Sequence, residues 1–258
     1  MEHLLHLTEI IKFKTGCFIK IDAGNKRTGV EWNDFDKILR MVSVVNENKY
    51  LRMKGFLMHN GHSYLARSVS GIKEVYHDAL SKTNSIREAV RQKDLIFSTG
   101  DTPTCSLISD FTGYDEIRPG NFVFYDIMQY QLGSCRREQI AVAVFCPVVD
   151  INEKKNEVLI YGGAVHLSKE SIFLVDGSRI YGEVAFPSET GWSLPEERIF
   201  VKSISQEHGI ISVPERLLKY FKRGELIAVL PVHSCLTADI LREYHTFDGR
   251  VLKDLSPK

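Results

Sequence analysis

Asp94-Leu-Ile-Phe-Ser-Thr-Gly-Asp-Thr-Pro-Thr104 sets a short apolar run directly against a loop of hydroxyls, a glycine and a carboxylate. The run reads as a buried strand over 94–97, ended by the polar loop. Two more such runs lie upstream, Cys17-Phe-Ile-Lys-Ile21 and Lys54-Gly-Phe-Leu-Met58, and helical stretches over 33–48 and 68–92 separate the three. Met1 to Lys14, with Leu4, Leu5, Leu7, Ile10 and Ile11, reads as a further amphipathic helix. Alternating strand and helix imply a parallel sheet, whose working residues sit in loops at the carboxyl ends of the strands. Here those loops are Asp22–Gly29, His59–Tyr64 and Ser98–Thr104.

From about residue 106 the pattern changes. Short strands are expected over 121–127, 139–150, 157–163, 171–175, 198–204 and 225–232, punctuated by Pro119-Gly120, Asn152-Glu153, Asp176-Gly177 and Arg223-Gly224. Such spacing predicts an antiparallel β domain of sandwich or barrel type, with one short helix over Val213–Phe221 opened by Pro214. The chain is therefore expected to hold two domains, 1–105 and 106–258, the first α/β and the second all-β.

A chain of 258 residues, 43% hydrophobic, can bury a substantial core. Its 33 basic and 33 acidic residues are mixed along the sequence, so there is no electrostatic footprint for nucleic acid or an anionic membrane. The expected partner is a small molecule or another protein. No apolar run approaches the roughly 20 residues that span a bilayer, and Met1-Glu-His-Leu-Leu-His6 lacks the basic segment and cleavage site of a signal peptide. A cytoplasmic location is the expectation. Five scattered cysteines, an odd number, point to reduced thiols rather than a disulfide framework.

Several constellations carry possible chemistry. The Ser98–Thr104 loop could cradle a phosphate with its glycine, hydroxyls and backbone N–H groups, or be a plain strand-to-loop turn. Lys20-Ile-Asp-Ala-Gly-Asn-Lys-Arg27 places Lys20 and Asp22 on one face of a strand and returns Arg27 in the following loop. The cluster could hold a cofactor ring or substrate, or be a solvated ion-pair network. His59-Asn-Gly-His-Ser-Tyr64 gathers two imidazoles and a phenol after the second strand. Glu207 or His208 in Gln206-Glu-His-Gly209 could act as acid, base or clamp, or cap the turn. His233 and Cys235 stand two apart after the run Leu226–Val232; on a strand both would face one side and could share a Zn²⁺ ion. The other reading is a hydrogen-bonded histidine and a buried small hydrophobe.

Six segments in collinear order carry a family resemblance: Lys20–Val30, Gly55–Tyr64, Ser98–Thr104, Arg118-Pro-Gly-Asn-Phe-Val-Phe-Tyr-Asp126, Ser205–Gly209 and Pro231-Val-His-Ser-Cys235. In them the chain resembles the D-serine dehydratases and D-threonine aldolases, pyridoxal-phosphate enzymes of fold type III. The resemblance implies part of an alanine-racemase-like (β/α)₈ barrel followed by an antiparallel β domain. It implies that Ser98, Gly100, Asp101 and Thr102 hold the cofactor phosphate, with Gly100 and Thr102 foremost, and that Arg27 and Tyr64 sit near the ring. It also implies that His233 and Cys235 bind Zn²⁺ or another divalent metal beside the cofactor, where the metal assists loss of a substrate hydroxyl. Cys at the second metal position suggests the D-serine dehydratase side of the family, since aldolase-like members often carry Asp there. A further alternative, an alanine racemase, is weaker because the Gln206–Gly209 and His233–Cys235 motifs belong to the lyase side of the resemblance.

One departure from the family pattern is large. Such enzymes need a lysine for a Schiff base with the cofactor, on an early barrel strand in a Lys-Thr-His-Lys-like context, and no such segment occurs here. Lys20 aligns with a later strand. The expectation is therefore the C-terminal part of a lyase acting on D-3-hydroxy amino acids, without a Schiff-base lysine and inactive alone. It would work as a homodimer or with a complementing N-terminal barrel fragment. The alternative is a noncatalytic remnant or assembly partner that keeps the fold and the metal pair.

Overall fold

A computed structural model describes residues 2–66 and 68–253. It divides them into two compact units, one reaching Phe122 and including Leu132–Ser134, the other formed by Val123–Gln131 and the residues from Cys135 onward.

The first unit contains α1 (Glu2–Ile11), β1 (Thr15–Asp22), β2 (Val30–Glu31), α2 (Phe35–Glu47), β3 (Leu51–Met58), α3 (Val69–Val90), β4 (Ile96–Thr99), α4 (Thr102–Leu107) and β5 (Glu116–Ile117). Its sheet has the order β2-β1-β3-β4-β5, and every pairing is parallel. The two long helices cover the sheet because their apolar residues recur at helical spacing: Ile38, Val42 and Val45 are buried on α2, and Ile72, Tyr76, Ala79 and Ile86 on α3. Polar caps set where they begin. The Asp34 carboxylate accepts from Lys37 N–H, and the Ser68 hydroxyl from Gly71 N–H. Ile19, Ile21, Phe56, Met58 and Phe97 form the heart of the core.

Three corrections to the sequence reading follow. The third strand starts at Ile96, because Asp94 adopts a left-handed backbone (φ 61°) that turns the chain first. The two-residue strands β2 and β5 were too short to leave a pattern. Pairing of β5 to β4 carries the first unit past residue 105 to Phe122. One edge of the sheet is open. The strand β2 meets β1 only at Ile21 and Asp22, so among the described residues no strand pairs with the outer edge of β1 over Thr15–Lys20.

The second unit contains α5 (Ile127–Gln131), β6 (Val144–Asn152), β7 (Glu157–Ile160), α6 (Ala164–Leu167), β8 (Ile172–Phe173), β9 (Arg179–Ile180), β10 (Gly182–Ser188), β11 (Gly191–Ser193), β12 (Phe200–Ile204), β13 (Gly209–Ser212), β14 (Leu226–Pro231) and α7 (Ser234–Leu241). Six strands close an antiparallel barrel in the order β10-β12-β13-β7-β6-β14, with β14 returning to β10. Closure removes the exposed edges that a sandwich would retain. Its interior is filled by Cys146, Val158, Ile160, Val184, Val201, Ile211 and Val229, all fully buried. The Glu183 carboxylate is fully buried too, and is paired with Arg137 at 2.6 Å and with Arg198 through two nitrogens at 3.0 and 2.6 Å.

The expected strand over 121–127 is absent. A 3₁₀ turn over Asn121–Val123 and then α5 replace it, the latter held where Gln129 N–H donates to the Asp126 carboxylate at 2.8 Å. The helix expected over 213–221 is a 3₁₀ helix, Glu215–Tyr220, with Pro214 just before it. Among the described residues no helix is long and apolar enough to cross a membrane.

Gly55 shows how tightly the parallel sheet is built, because a Cβ there would lie 1.8 Å from the Ile96 carbonyl oxygen on β4. Gly55→Ala should therefore lower the unfolding free energy by about 3 kcal/mol, measured by chemical denaturation. A loss within about 0.5 kcal/mol, as for a neutral surface change, would contradict this close approach.

Candidate active site

The register of the parallel sheet aligns its loops. Ile21 pairs with Met58, Leu57 with Ser98, and Thr99 with Ile117. Continued along the strands, these registers put Asp22, His59, Gly100 and Arg118 in a row at the carboxyl ends of four strands. The expected loops after β1, β3 and β4 thus share one end of the sheet. Arg27, exposed in the first loop, projects its charge onto His59. Tyr64 lies on the 3₁₀ helix Gly61–Leu65 that follows His59.

The polar groups in this row are interlocked, with Asp22 buried and His59 and Arg118 half-buried. Asp22 accepts N–H bonds from Gly24 at 2.9 Å and Lys26 at 3.0 Å. Burial pushes its carboxyl up, but those bonds, one from Asn25 and the charge of His62 outweigh it, so it lies below the usual range. The His59 Nδ1 is 2.7 Å from the Gly100 carbonyl oxygen. A carbonyl can only accept, so Nδ1 carries the proton and Nε2 presents a lone pair. Burial lowers the His59 pKa; the charges of Arg27 and Lys20 lower it further, against the opposing pull of the Gly100 bond and Asp101. Burial and Lys82 likewise lower that of His62. The ring of His59 is thus a neutral acceptor near pH 7.

The Ser98–Thr104 loop owes its shape to its own side chains. Asp101 accepts from Thr104 N–H at 2.7 Å, Thr104 Oγ1 at 2.5 Å and Ser63 Oγ at 3.0 Å, and burial raises its pKa. Ser98 Oγ donates to Glu116 at 2.5 Å and accepts from Arg118 Nε at 2.7 Å, while Thr102 Oγ1 accepts from Asn121 N–H at 2.9 Å. Gly100 is pressed against Arg118, where a Cβ would approach the carbonyl oxygen to 2.5 Å. Ser98 and Asp101 therefore build the loop, and its backbone amides are what it offers to a ligand. Sequence reasoning gave no role to Asn60, Ser63 or Arg118. Arg118 Nη2 donates to the Met58 carbonyl at 2.6 Å and so ties β3 to β5. Its signal was its place in the motif after Glu116-Ile117, had those two residues been read as a strand.

His233 and Cys235 lie in the second unit and do not share the strand face that the sequence suggests. The strand β14 ends at Pro231. His233 is the N-cap of α7 in extended conformation (φ −135°, ψ 95°), its ring making no cap hydrogen bond, and Cys235 lies in the first helical turn. The physical reason is a helix start at Ser234, whose N–H donates to Asp126 at 3.0 Å. Cys235 is a free, half-buried thiol, raised by burial and by the charge of Asp126.

Pyridoxal phosphate and a divalent metal are the groups that the sequence resemblance implies. The strand-end row fits the anionic end of the cofactor. Lys20, Arg27 and Arg118 gather positive charge there, and two buried polar atoms, Asn60 Oδ1 and His62 Nδ1, have no hydrogen-bond partner. An imidazole and a free thiol fit zinc as donor types. Among the described residues no three histidine, cysteine or acidic groups converge on a metal position, so the pair would be the chain's whole contribution.

Stability against pH checks the strand-end electrostatics. Histidines with depressed folded pKa values resist protonation while the unfolded chain, with pKa about 6.5, takes protons up. Stability is therefore full above about pH 6.5 and falls as pH drops through the lower folded values. His59→Gln with His62→Gln should flatten the fall in denaturation midpoint between about pH 6.5 and 5; an unchanged slope would contradict the assignment.

Comparison with known proteins agrees with this architecture. The alanine racemase N-terminal domain family matches residues 1–127, and the serine dehydratase domain family residues 141–247. The chain is 30% identical over 260 residues to a D-serine dehydratase of Dictyostelium discoideum, covering 95% of this chain and 64% of that protein. An alanine racemase-like protein from Idiomarina loihiensis superposes with a TM-score of 0.83 at 26% identity, over 97% of this chain and 67% of that one. The fold is shared as well with D-threo-3-hydroxyaspartate dehydratase from Delftia, with a TM-score of 0.83 at 24% identity, over 97% and 68% of the two chains. The chain spans 57% to 64% of the length of the curated relatives it matches. With a partial barrel of parallel strands matching the alanine racemase N-terminal domain family and a closed antiparallel β barrel matching the serine dehydratase domain family, the chain is similar along nearly its whole length to D-serine dehydratases and has the alanine racemase fold.

Proposed function

We propose that these residues form part of a pyridoxal-phosphate- and metal-dependent lyase acting on D-3-hydroxy amino acids. The observation that carries this reading is the row of Asp22, His59, Gly100 and Arg118 across four parallel strands, with buried polar groups lacking partners beside it. The backbone amides of Gly100 to Thr102 hold the cofactor phosphate, in a loop whose shape Ser98, Asp101 and the Thr102 hydroxyl fix. Arg27 neutralises that charge from the rim, and Tyr64 lies against the ring. When bound, pyridoxal phosphate supplies an electron sink for the α-carbon of an amino acid. His59 Nε2, unprotonated at neutral pH, accepts a proton or hydrogen bond at the same end of the sheet. In the second unit His233 and Cys235 hold a divalent ion, zinc by donor type, which would supply Lewis-acid chemistry for the substrate's β-hydroxyl. Names of relatives support the substrate class: D-serine dehydratase, and D-threo-3-hydroxyaspartate dehydratase.

No lysine of the 258 residues stands in the family's Schiff-base context. The reading therefore needs that lysine from polypeptide outside this sequence, either a complementing N-terminal barrel segment docked on the open edge of β1 or a second subunit. The other reading is a noncatalytic partner that retains the fold.

The test is a mixing experiment. The 258-residue chain with pyridoxal phosphate should show no absorbance band at about 410–430 nm, the range of the lysine-linked cofactor, and no D-serine or D-threonine cleavage. Adding a polypeptide with the N-terminal strands and their lysine should produce both. A chain that is yellow and active unaided would overturn the lysine assignment, and Lys20 would be the first residue to replace. Failure of the mixture would favour the noncatalytic reading.

A further inference from the structure

We infer that Asp126 is the positioning residue of the His233–Cys235 pair; this rests on the reading of that pair as a metal site. Three hydrogen bonds tie the segment around His233 to the stretch 125–128. Met128 N–H donates to the Val232 carbonyl at 3.3 Å, Ser234 N–H to Asp126 Oδ2 at 3.0 Å, and Ser234 Oγ to the Tyr125 carbonyl at 2.5 Å. His233 is thus held between two anchored neighbours. Thr237 N–H then donates to the His233 carbonyl at 3.2 Å, which fixes the first turn of α7 and with it Cys235.

Asp126 is the hub of this arrangement. Its carboxylate is fully buried, and its other oxygen accepts from Gln129 N–H at 2.8 Å, so one side chain caps the starts of both α5 and α7. A carboxylate removed from water is costly unless its acceptor sites are filled, and here backbone donors from two elements fill them. Both cysteines of the neighbourhood feel its charge, Cys235 and Cys135. A neutral residue could start α7. Only an acceptor with two oxygens can hold Ser234 and Gln129 at once, and the charge also favours a dication at the pair.

Metal binding tests this without any catalytic readout. The full chain is titrated with Zn²⁺ against a chelator, and with Co²⁺ to follow the thiolate-to-metal absorption. The wild type should bind one equivalent, and Cys235→Ala should abolish the thiolate band. Asp126→Ala should weaken zinc binding at least tenfold and Asp126→Asn less, because an amide oxygen can still accept one of the two N–H bonds. Ser234→Ala, which removes only the tie to Tyr125, should weaken it a few-fold and guards against an Asp126 variant that fails to fold. Ile211→Val, a destabilising change in the barrel interior away from α7, should leave the affinity unchanged. Asp126 and Ser234 variants that bind as tightly as wild type, while Cys235→Ala does not, would overturn the positioning role alone. A wild-type chain that binds neither ion would overturn the metal reading together with it.

Discussion

The candidate site depends on the register between β3 and β4, and that register depends on Gly55. The two backbones approach so closely that a side chain at this position would overlap the Ile96 carbonyl. Pairing Gly55 with Ile96 brings His59 level with Gly100 four residues later, where the ring donates to the Gly100 carbonyl. A slip of one residue would turn every side chain of the strand to the other face and separate these two groups. The same row extends to Asp22 on one side and Arg118 on the other, so a backbone constraint deep in the core places four functional groups at the surface end of the sheet.

Around that row the structure uses charge and burial with opposite signs. Backbone donors keep Asp22 ionised, burial pushes Asp101 toward its neutral form, and burial with nearby cations keeps His59 unprotonated. These shifts suit a pocket for an anion. Cations lie at its rim, and the carboxylate within the loop is turned to Thr104 and Ser63. The second unit shows a related economy. The Asp126 carboxylate caps two helices, and Glu183 is held by two arginines, so the buried acids there are both satisfied by several donors.

Much of this could be read in the sequence, and the failures have physical causes. Apolar runs marked β1, β3 and β4, and helical periodicity marked α2 and α3, so the parallel sheet and the shared end of its loops were foreseeable. The strands β2 and β5 have two residues each and leave no periodic signal, which hid Arg118 at the end of the row. Asn121-Phe-Val-Phe-Tyr125 has strand composition, but Asp126 caps the backbone of α5 and overrides propensity there. The same carboxylate undid the strand placement of His233 and Cys235. Its partner Ser234 lies 108 residues away, and such a long-range bond has no local signature. The motifs that carried the family resemblance nevertheless lie at these places, with Asp126 closing one and His233 and Cys235 closing another.

The central claim is that the carboxyl ends of β1, β3 and β4 form the cofactor-holding end of the chain. Amide NMR during titration of the 258-residue chain with pyridoxal phosphate tests it most directly, since it reports where even a weak, noncovalent ligand sits. The account predicts shifts concentrated in Ala23–Gly29, His59–Tyr64 and Gly100–Thr104, and lost in Arg27→Ala. Shifts gathered instead at the opposite end of the sheet, around Phe13–Thr15 and Lys49–Leu51, would contradict it.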